Sequence, residues 1–228
     1  MEGHHAKMRA LQVFNLKEDA TLADIREAYL ERTTQKRFRC VFLGDEHLEK
    51  DFLKYYEAYM LFLKYQETAE EEMKTGELST DRFFTLHFNQ GVYYLIKERY
   101  LKASEKFQAA FKLNQNHAQL LVYLGIVLLK RRNLYAAEKY LSQASELDPE
   151  CADSWFYLGE IYRLTGKPDK AAEMFQHAKR LDPLRQDVTS RLKTLGARPG
   201  DTRLRPPTRN KDSLLSKLLR RSSSLFKK

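Results

Sequence analysis

A 34-residue spacing of small and apolar residues is the feature of this 228-residue sequence that most limits its possible folds. Gly91, Gly125 and Gly159 lie one step apart, and three further positions with the same step carry alanine or a large apolar residue. These positions are Ala103, Ala137 and Ala171, then Phe107, Leu141 and Phe175, then Ala110, Ala144 and Ala178. Several positions that keep one phase over three copies indicate a stacked array of structural repeats.

Each copy predicts two packed helices. The Leu-Asp-Pro tripeptides at 147–149 and 181–183 end the second helix of a copy, because proline lacks a backbone donor and disfavours helix at the residue before it. Gly125 and Gly159 fall where the first helix of a copy meets the second, and a side chain there would hold the two helices apart. One helix pair cannot bury its apolar face alone, so neighbouring copies must stack into an all-α array.

The pattern resembles the tetratricopeptide repeat (TPR) family over about residues 84–185. Its third copy carries the fullest set of family residues, which are Trp155, Leu158, Gly159, Tyr162, Ala171, Phe175, Ala178 and Pro183. The resemblance implies an α-solenoid of three helix-turn-helix repeats, at about residues 84–117, 118–151 and 152–185. A short helix within residues 186–196 is expected to cap the stack, because Val188, Leu192 and Leu195 share one face.

The resemblance also implies a concave groove lined by the first helix of each repeat. The matching positions hold apolar residues in the first two repeats and two charged residues in the third: Phe88, Val92, Leu95, Val122, Ile126, Leu129, Phe156, Glu160 and Arg163. We expect this groove to bind an apolar protein segment, such as an amphipathic helix. TPR proteins that grip a terminal carboxylate use Lys, Asn and Arg at positions where this chain has Phe88, Val92 and Tyr123, so no carboxylate clamp is expected.

An alternative is left open for the same residues. Large apolar patches are usually covered, so the groove residues could pack against the N-terminal region or the tail instead. If the groove is open, Val122→Glu together with Ile126→Glu should abolish peptide binding and leave the helices intact.

Residues 1–76 predict helices of their own. Thr21 is a helix cap with Asp24 three residues on, and an aromatic stripe from Phe52 to Leu63 predicts a helix over about 48–72. Residues 11–29 and 52–59 resemble the first part and the third helix of a DnaJ-type J domain. J domains stimulate their chaperone partner's ATPase through a His-Pro-Asp tripeptide, which this sequence lacks. The resemblance therefore implies a J-like domain that is chaperone-related but without that activity.

The formal net charge of +9 is concentrated at the C-terminus. Residues 196–228 carry +8 and residues 1–195 only +1, which predicts no strongly basic surface on the repeats. The proline-containing stretch 197–213 is expected to be a flexible linker, and residues 213–228 predict an amphipathic helix. Its apolar face holds Leu214, Leu215, Leu218, Leu219, Leu225 and Phe226, and its basic face holds Lys217, Arg220, Arg221, Lys227 and Lys228.

Three surfaces are open to this tail helix, namely an anionic membrane, a groove on another protein and the chain's own TPR groove. A disordered, solubilising tail is the remaining alternative. Nucleic acid is less favoured than a membrane, because Phe226 is the only aromatic residue of the tail.

Catalytic and metal-binding signatures are missing from the sequence. Neither a phosphate-binding glycine loop, a zinc-protease motif nor a nucleophile elbow occurs, and the histidines, Cys40 and Cys151 show no metal-ligand spacing. We therefore expect no enzyme, no cofactor, no metal and no small-molecule substrate. The organisation predicted is a J-like domain over 1–76, a TPR domain over 77–196 and a basic tail over 197–228. The function predicted is a cytoplasmic protein-interaction adaptor or scaffold; the alternative is a peripheral membrane anchor that acts through the tail.

Overall fold

The computed structural model describes residues 2–34, 45–64 and 80–196, and these residues form ten helices and no strand. The helices are α1 (Glu2–Phe14), α2 (Leu22–Thr34), α3 (Glu46–Lys64), α4 (Thr80–Ile96), α5 (Tyr100–Leu113), α6 (Ala118–Lys130), α7 (Leu134–Leu147), α8 (Ala152–Leu164), α9 (Pro168–Leu181) and α10 (Gln186–Thr194). The predicted all-α class is confirmed. The predicted linker and tail helix lie outside the described residues.

The six helices α4–α9 form three antiparallel pairs, in which the glycine of the first helix touches the second. A Cβ atom added at Gly125 would lie 2.4 Å from Cγ of Leu141, and one added at Gly159 would lie 2.6 Å from Cε1 of Phe175. Both distances are far below van der Waals contact. The glycines therefore permit the close helix approach that the sequence predicts.

The first helix of each pair ends in the same backbone turn. Glu98, Arg132 and Gly166 follow α4, α6 and α8 and have φ angles of 56°, 63° and 70°. The next residue then donates its N–H to a carbonyl in the last turn, as from Lys167 to Tyr162 at 2.9 Å. This is the left-handed cap that most often uses glycine, and only Gly166 follows that preference. The second helices α5, α7 and α9 start directly afterwards.

The short helix α10 covers the open end of the last pair. Its own side chains Val188 and Leu192 are buried. At its start the Arg185 Nη1 atom lies 2.6 Å from Asp153 Oδ1 on α8. The Arg185 guanidinium also lies over the Phe156 ring, 4.2 Å from its centroid. The end of the stack is thus closed by apolar packing and by ion pairs.

The N-terminal helices form a small bundle with an aromatic interior. Thr21 and Asp24 cap α2 reciprocally as predicted, because Thr21 N donates to Asp24 Oδ2 at 2.6 Å and Asp24 N to Thr21 Oγ1 at 3.3 Å. Tyr29 of α2 stacks on Tyr59 of α3, with ring centroids 4.1 Å apart. The helix α3 is described to Lys64, and the rest of the helix predicted over 48–72 lies outside the described residues.

This bundle is joined to α4 by a buried polar contact. The Asn89 side-chain amide of α4 donates to Tyr29 Oη at 2.9 Å and to Thr33 Oγ1 at 3.1 Å. Asn89, Tyr29 and Thr33 are all buried. The rings of Tyr56 and Tyr93 stack beside them at 4.6 Å. One continuous core therefore extends from α1 to α10.

Candidate interaction surface

The nine predicted groove residues lie on the first helices α4, α6 and α8, and most of them are interior. Six are buried, namely Val92, Leu95, Val122, Ile126, Phe156 and Glu160. Three are half-buried, namely Phe88, Leu129 and Arg163. Most of the predicted groove residues thus lie inside the fold. Only the half-buried residues can meet a partner without rearrangement.

Helix α6 explains this burial. Every residue from Leu120 to Leu128 is buried, and Val122 and Ile126 are 0% exposed. A helix that is apolar on all sides belongs in a protein interior. A carboxylate at either position would be buried without a partner, which costs several kcal/mol. The variant Val122→Glu with Ile126→Glu is therefore expected to unfold the chain, and the sequence-based expectation that its helices stay intact is corrected.

Aromatic rings surround Phe88, one of the positions that the sequence resemblance associates with a carboxylate clamp. Phe88 meets the Tyr123 ring edge-on at 5.3 Å and lies 5.9 Å from the Phe107 ring. The His117 ring packs on the other side of Phe88 at 5.8 Å. Among the described residues, neither the Phe88 ring nor the Phe107 ring has a cation–π contact with a lysine or arginine. The described surface at Phe88 is therefore aromatic.

His117 also holds the start of α6. Its Nδ1 atom accepts a hydrogen bond from Leu120 N at 3.2 Å. Burial lowers the pKa of His117 below its ordinary value, so the ring is neutral at pH 7. A neutral ring keeps the lone pair that this cap requires. The His117 ring therefore contributes packing and a helix cap, but no charge.

The third repeat presents a cluster of ion pairs. Glu160 accepts from Arg163 Nη2 at 2.9 Å and pairs with Arg191 Nε of α10 at 2.7 Å. Arg185 lies between Asp153 and Asp187. Three arginines thus face three carboxylates, and the cluster has no net charge. Its chemistry fastens α10 to α8 and does not form a site for a free anion.

Sequence reasoning missed Asn89, Asp153, Arg185 and Arg191. One signal for part of this cluster was available, because Asp153 and Asp187 are 34 residues apart and so share one repeat position. Glu160 similarly takes a position that Val92 and Ile126 occupy in the other repeats. A charged residue at an otherwise apolar repeat position indicates an ion pair. The link from Asn89 to Tyr29 spans 60 residues and left no local pattern.

The described residues hold little other candidate chemistry. Cys151 is half-buried before α8, and burial raises the pKa of its thiol to about 11, so it is protonated and unreactive at pH 7. Among residues 2–34, 45–64 and 80–196, no group of His, Cys, Asp and Glu side chains has a metal-binding arrangement. Within the same ranges, none of the helices combines the length and hydropathy needed to cross a membrane. Cys40 lies outside the described residues.

Comparison with known proteins finds a family match for part of the repeats. Residues 124–185 match the family model described as tetratricopeptide repeat. Human cilia- and flagella-associated protein 70 is 31% identical over 88 residues, which are 39% of this chain and 8% of that protein. The human protein O-mannosyl-transferase TMTC3 is 31% identical over 77 residues, which are 34% of this chain and 8% of that protein. The chain thus spans less than a tenth of the length of either relative.

Two solved structures share the fold. The TPR domain of Arabidopsis OM64 aligns with a TM-score of 0.51 at 19% identity, over 52% of this chain and 98% of that domain. The MamA RS-1 ArsTM double mutant aligns with a TM-score of 0.52 at 19% identity, over 80% of this chain and 94% of that one. The J-domain resemblance stays a prediction. The family model thus matches residues 124–185 as tetratricopeptide repeat, and the two structures show an all-helical solenoid fold.

Proposed function

We propose that this protein is an interaction adaptor whose repeats hold an apolar or amphipathic segment of a partner protein. The observation that supports this most is the run of first helices α4, α6 and α8 in one register. In the repeat register of the sequence, their predicted groove residues take corresponding positions on each first helix. Phe88 and Leu129 would make the apolar contacts, and the buried Val92, Val122 and Ile126 would form the floor beneath them.

The two ends of this surface favour a segment of mixed character. At the α4 end the half-buried Phe88 belongs to a cluster of aromatic rings. At the α8 end Arg163 and Arg191 have side chains 32% and 43% exposed, while each pairs with Glu160. A partner segment would therefore place apolar side chains towards the first repeats and polar groups towards the third.

Affinity capture with matched variants tests this proposal. Phe88→Lys combined with Leu129→Lys adds charge to the contact surface, and lysine is chosen because its long side chain can reach water from a half-buried position. Leu184→Ser is the control, because Leu184 is 89% exposed in the turn before α10. Proteins that the unaltered chain captures from a native lysate should be retained by the control and lost by the double variant. Retention by both variants would contradict the proposal.

Folding is monitored in the same experiment. Circular dichroism and the melting temperature show whether the double variant stays helical. If it does not, Leu129→Lys alone replaces it, because Leu129 lies near the end of α6 and does not belong to the aromatic cluster.

We further propose that α1–α3 form a J-like domain without ATPase-stimulating activity. The packed helices α1–α3 and the missing His-Pro-Asp tripeptide support this. An ATPase assay with a DnaK-class chaperone should show no stimulation by the full chain. Stimulation would contradict the proposal.

A membrane anchor is a second candidate function. It is supported by the separate apolar and basic faces in the sequence of residues 213–228. Flotation with anionic liposomes should carry the full chain and leave a chain ending at residue 196 behind. Equal flotation of the two chains would exclude the tail as the anchor.

A further inference from the structure

The short turns within the three repeats gather basic residues at one edge of the solenoid. We name this the turn edge and define it as residues 96–102, 130–136 and 164–170. It holds eight basic residues against two acidic ones: Lys97, Arg99, Lys102, Lys130, Arg131, Arg132, Lys167 and Lys170 against Glu98 and Asp169. All eight basic side chains are exposed. The small net charge of residues 1–195 hides this concentration.

The opposite edge has a different charge. Its turns between repeats, at residues 112–117, 146–151 and 180–185, hold three basic and four acidic residues. One of the three, Arg185, is bound to Asp153 and Asp187. The solenoid therefore has one basic edge and one weakly acidic edge.

Helix dipoles do not explain the basic edge. Positive charge is favourable at the C-termini of α4 and α6 but unfavourable at the N-termini of α5 and α9, where Arg99, Lys102, Lys167 and Lys170 stand. Arg99 and Lys167 occupy the N-cap position and form no side-chain cap hydrogen bond. Asn133 in the same position caps α7 by accepting from Ala136 N at 3.2 Å. Lys102 Nζ lies 5.7 Å from the Tyr94 ring centroid, and Lys167 Nζ and Lys170 Nζ lie 5.8 Å and 5.7 Å from that of Tyr162. These cation–π contacts stabilise the lysines in part, but they do not replace the missing helix caps.

Backbone strain and exposed apolar groups mark the same edge. Arg132 has a φ of 63° where the third repeat has Gly166, so an arginine takes a position that glycine adopts without strain. Leu101 and Tyr135 are 65% and 84% exposed, and they share one repeat position on adjacent repeats. Strain and exposure of this kind concentrate at functional surfaces more than at structural ones.

We propose that the turn edge binds an acidic segment of a partner protein that also carries apolar side chains. The three turns are spaced by about 10 Å, the usual distance between packed helices. Basic groups at this spacing can pair with acidic side chains along an extended partner segment. Leu101 and Tyr135 between them accept the apolar side chains. The chain's own tail carries +8 over residues 196–228 and is repelled, so it is not the occupant. This surface is separate from the groove on α4, α6 and α8.

Membranes and nucleic acids fit the turn edge less well. An interfacial membrane site needs a continuous apolar stripe, whereas Leu101 and Tyr135 stand singly among charges. Single-stranded nucleic acid needs several stacking rings, and within the described ranges Tyr135 is the one aromatic residue that is largely exposed. Both remain as arms of the test.

The test measures fluorescence polarisation of a labelled peptide made of glutamate, leucine and tyrosine. The edge variant is Lys102→Glu, Lys130→Glu and Arg132→Glu in the full chain; Glu98 already occupies the position equivalent to 132. The matched control is Lys112→Glu, Arg180→Glu and Lys193→Glu, which are exposed and change the net charge equally. The tail is present in both chains, so their difference reports the edge alone. We expect about tenfold weaker binding for the edge variant and about twofold for the control.

Two further variants keep the proposal falsifiable. Leu101→Ser with Tyr135→Ser should weaken peptide binding without changing its salt dependence. Lys167→Asp should weaken peptide binding while raising the melting temperature, because aspartate caps α9 and suits its dipole. Equal losses for the edge and control variants would overturn the proposal. It would also be overturned if the edge variant lost more binding to phosphatidylserine vesicles or single-stranded DNA than to the peptide.

Discussion

Arg185 Nη1 lies 2.6 Å from Asp153 Oδ1, and this contact joins the cap helix α10 to the first helix of the third repeat. Both side chains are largely buried, with exposed fractions of 16% and 9%. Asp187 Oδ1 lies 2.9 Å from Nε of the same guanidinium, but the Asp187 side chain is half exposed. The closing of the repeat stack thus depends on a charged contact as well as on apolar packing.

Asp153→Asn should therefore destabilise the fold by about 2 kcal/mol, because the asparagine oxygen can still accept from Arg185 but the negative charge that pairs with the buried guanidinium is lost. Asp187→Asn should cost less than about 1 kcal/mol, since that carboxylate is exposed. Chemical denaturation of both variants measures the difference. A double-mutant cycle compares Asp153→Asn, Arg185→Met and the combined variant. If the two single losses of stability add up to the loss in the combined variant, the two side chains are not coupled.

Gly159→Ala should destabilise the fold by about 2 kcal/mol, through overpacking against Phe175. Alanine in place of glycine within a helix ordinarily has the opposite effect, because it reduces the freedom of the unfolded chain. The sign of the change in melting temperature therefore shows which of the two effects is larger. A stabilised variant would mean that the helices of this pair are not in close contact.

Arg132→Gly should stabilise the fold by about 1 kcal/mol, because glycine relieves the strain of a φ of 63°. Gly166→Ala should have the opposite effect, since a Cβ there meets no atom within 4 Å and only the backbone conformation opposes it. Thermal melts of the two variants should move in opposite directions. Shifts in the same direction would contradict this account of the turns.

Stability should fall as the pH drops below about 6.5, the ordinary pKa of histidine. Burial lowers the pKa of His117 in the folded state, so the unfolded chain takes up a proton first. Burial lowers the pKa of His87 and His177 in the same direction. Acidification therefore favours unfolding through all three residues.

His117→Asn isolates one of these contributions. Asparagine can cap α6 as the imidazole does but does not titrate. Denaturation at a series of pH values should give a shallower fall in stability for this variant than for the unaltered chain. Identical pH profiles would show that His117 does not contribute.

The repeat architecture could be predicted from the sequence because it depends on local spacing. The 34-residue step located Gly125 and Gly159 at the helix contacts, and one apolar face located the cap helix. The burial of Val122 and Ile126 could not be predicted in this way. The positions of these residues on α6 could be read from the repeat pattern, but their exposure depends on how the rest of the chain packs around that helix.

The basic turn edge could not be predicted from the net charge either. The net charge of +1 over residues 1–195 suggested no strongly basic surface, because a sum over the chain contains no positions. Superposition of the three repeats in one register would have aligned Arg99, Asn133 and Lys167 and shown the turn edge. The contact of Asn89 with Tyr29 and Thr33 could not be found in this way, since it joins the repeats to a region outside their register.

The central claim, that the repeats hold a protein segment on the side formed by α4, α6 and α8, is tested most directly by site-specific photo-crosslinking. A benzoylphenylalanine residue is placed at 88, at 129 or at 184 of the full chain, and each chain is irradiated in a native lysate. We predict that positions 88 and 129 capture the same partner and that position 184, in the exposed turn before α10, does not. Crosslinks from position 184 alone, or none from positions 88 and 129 while the partner still copurifies, would contradict the account.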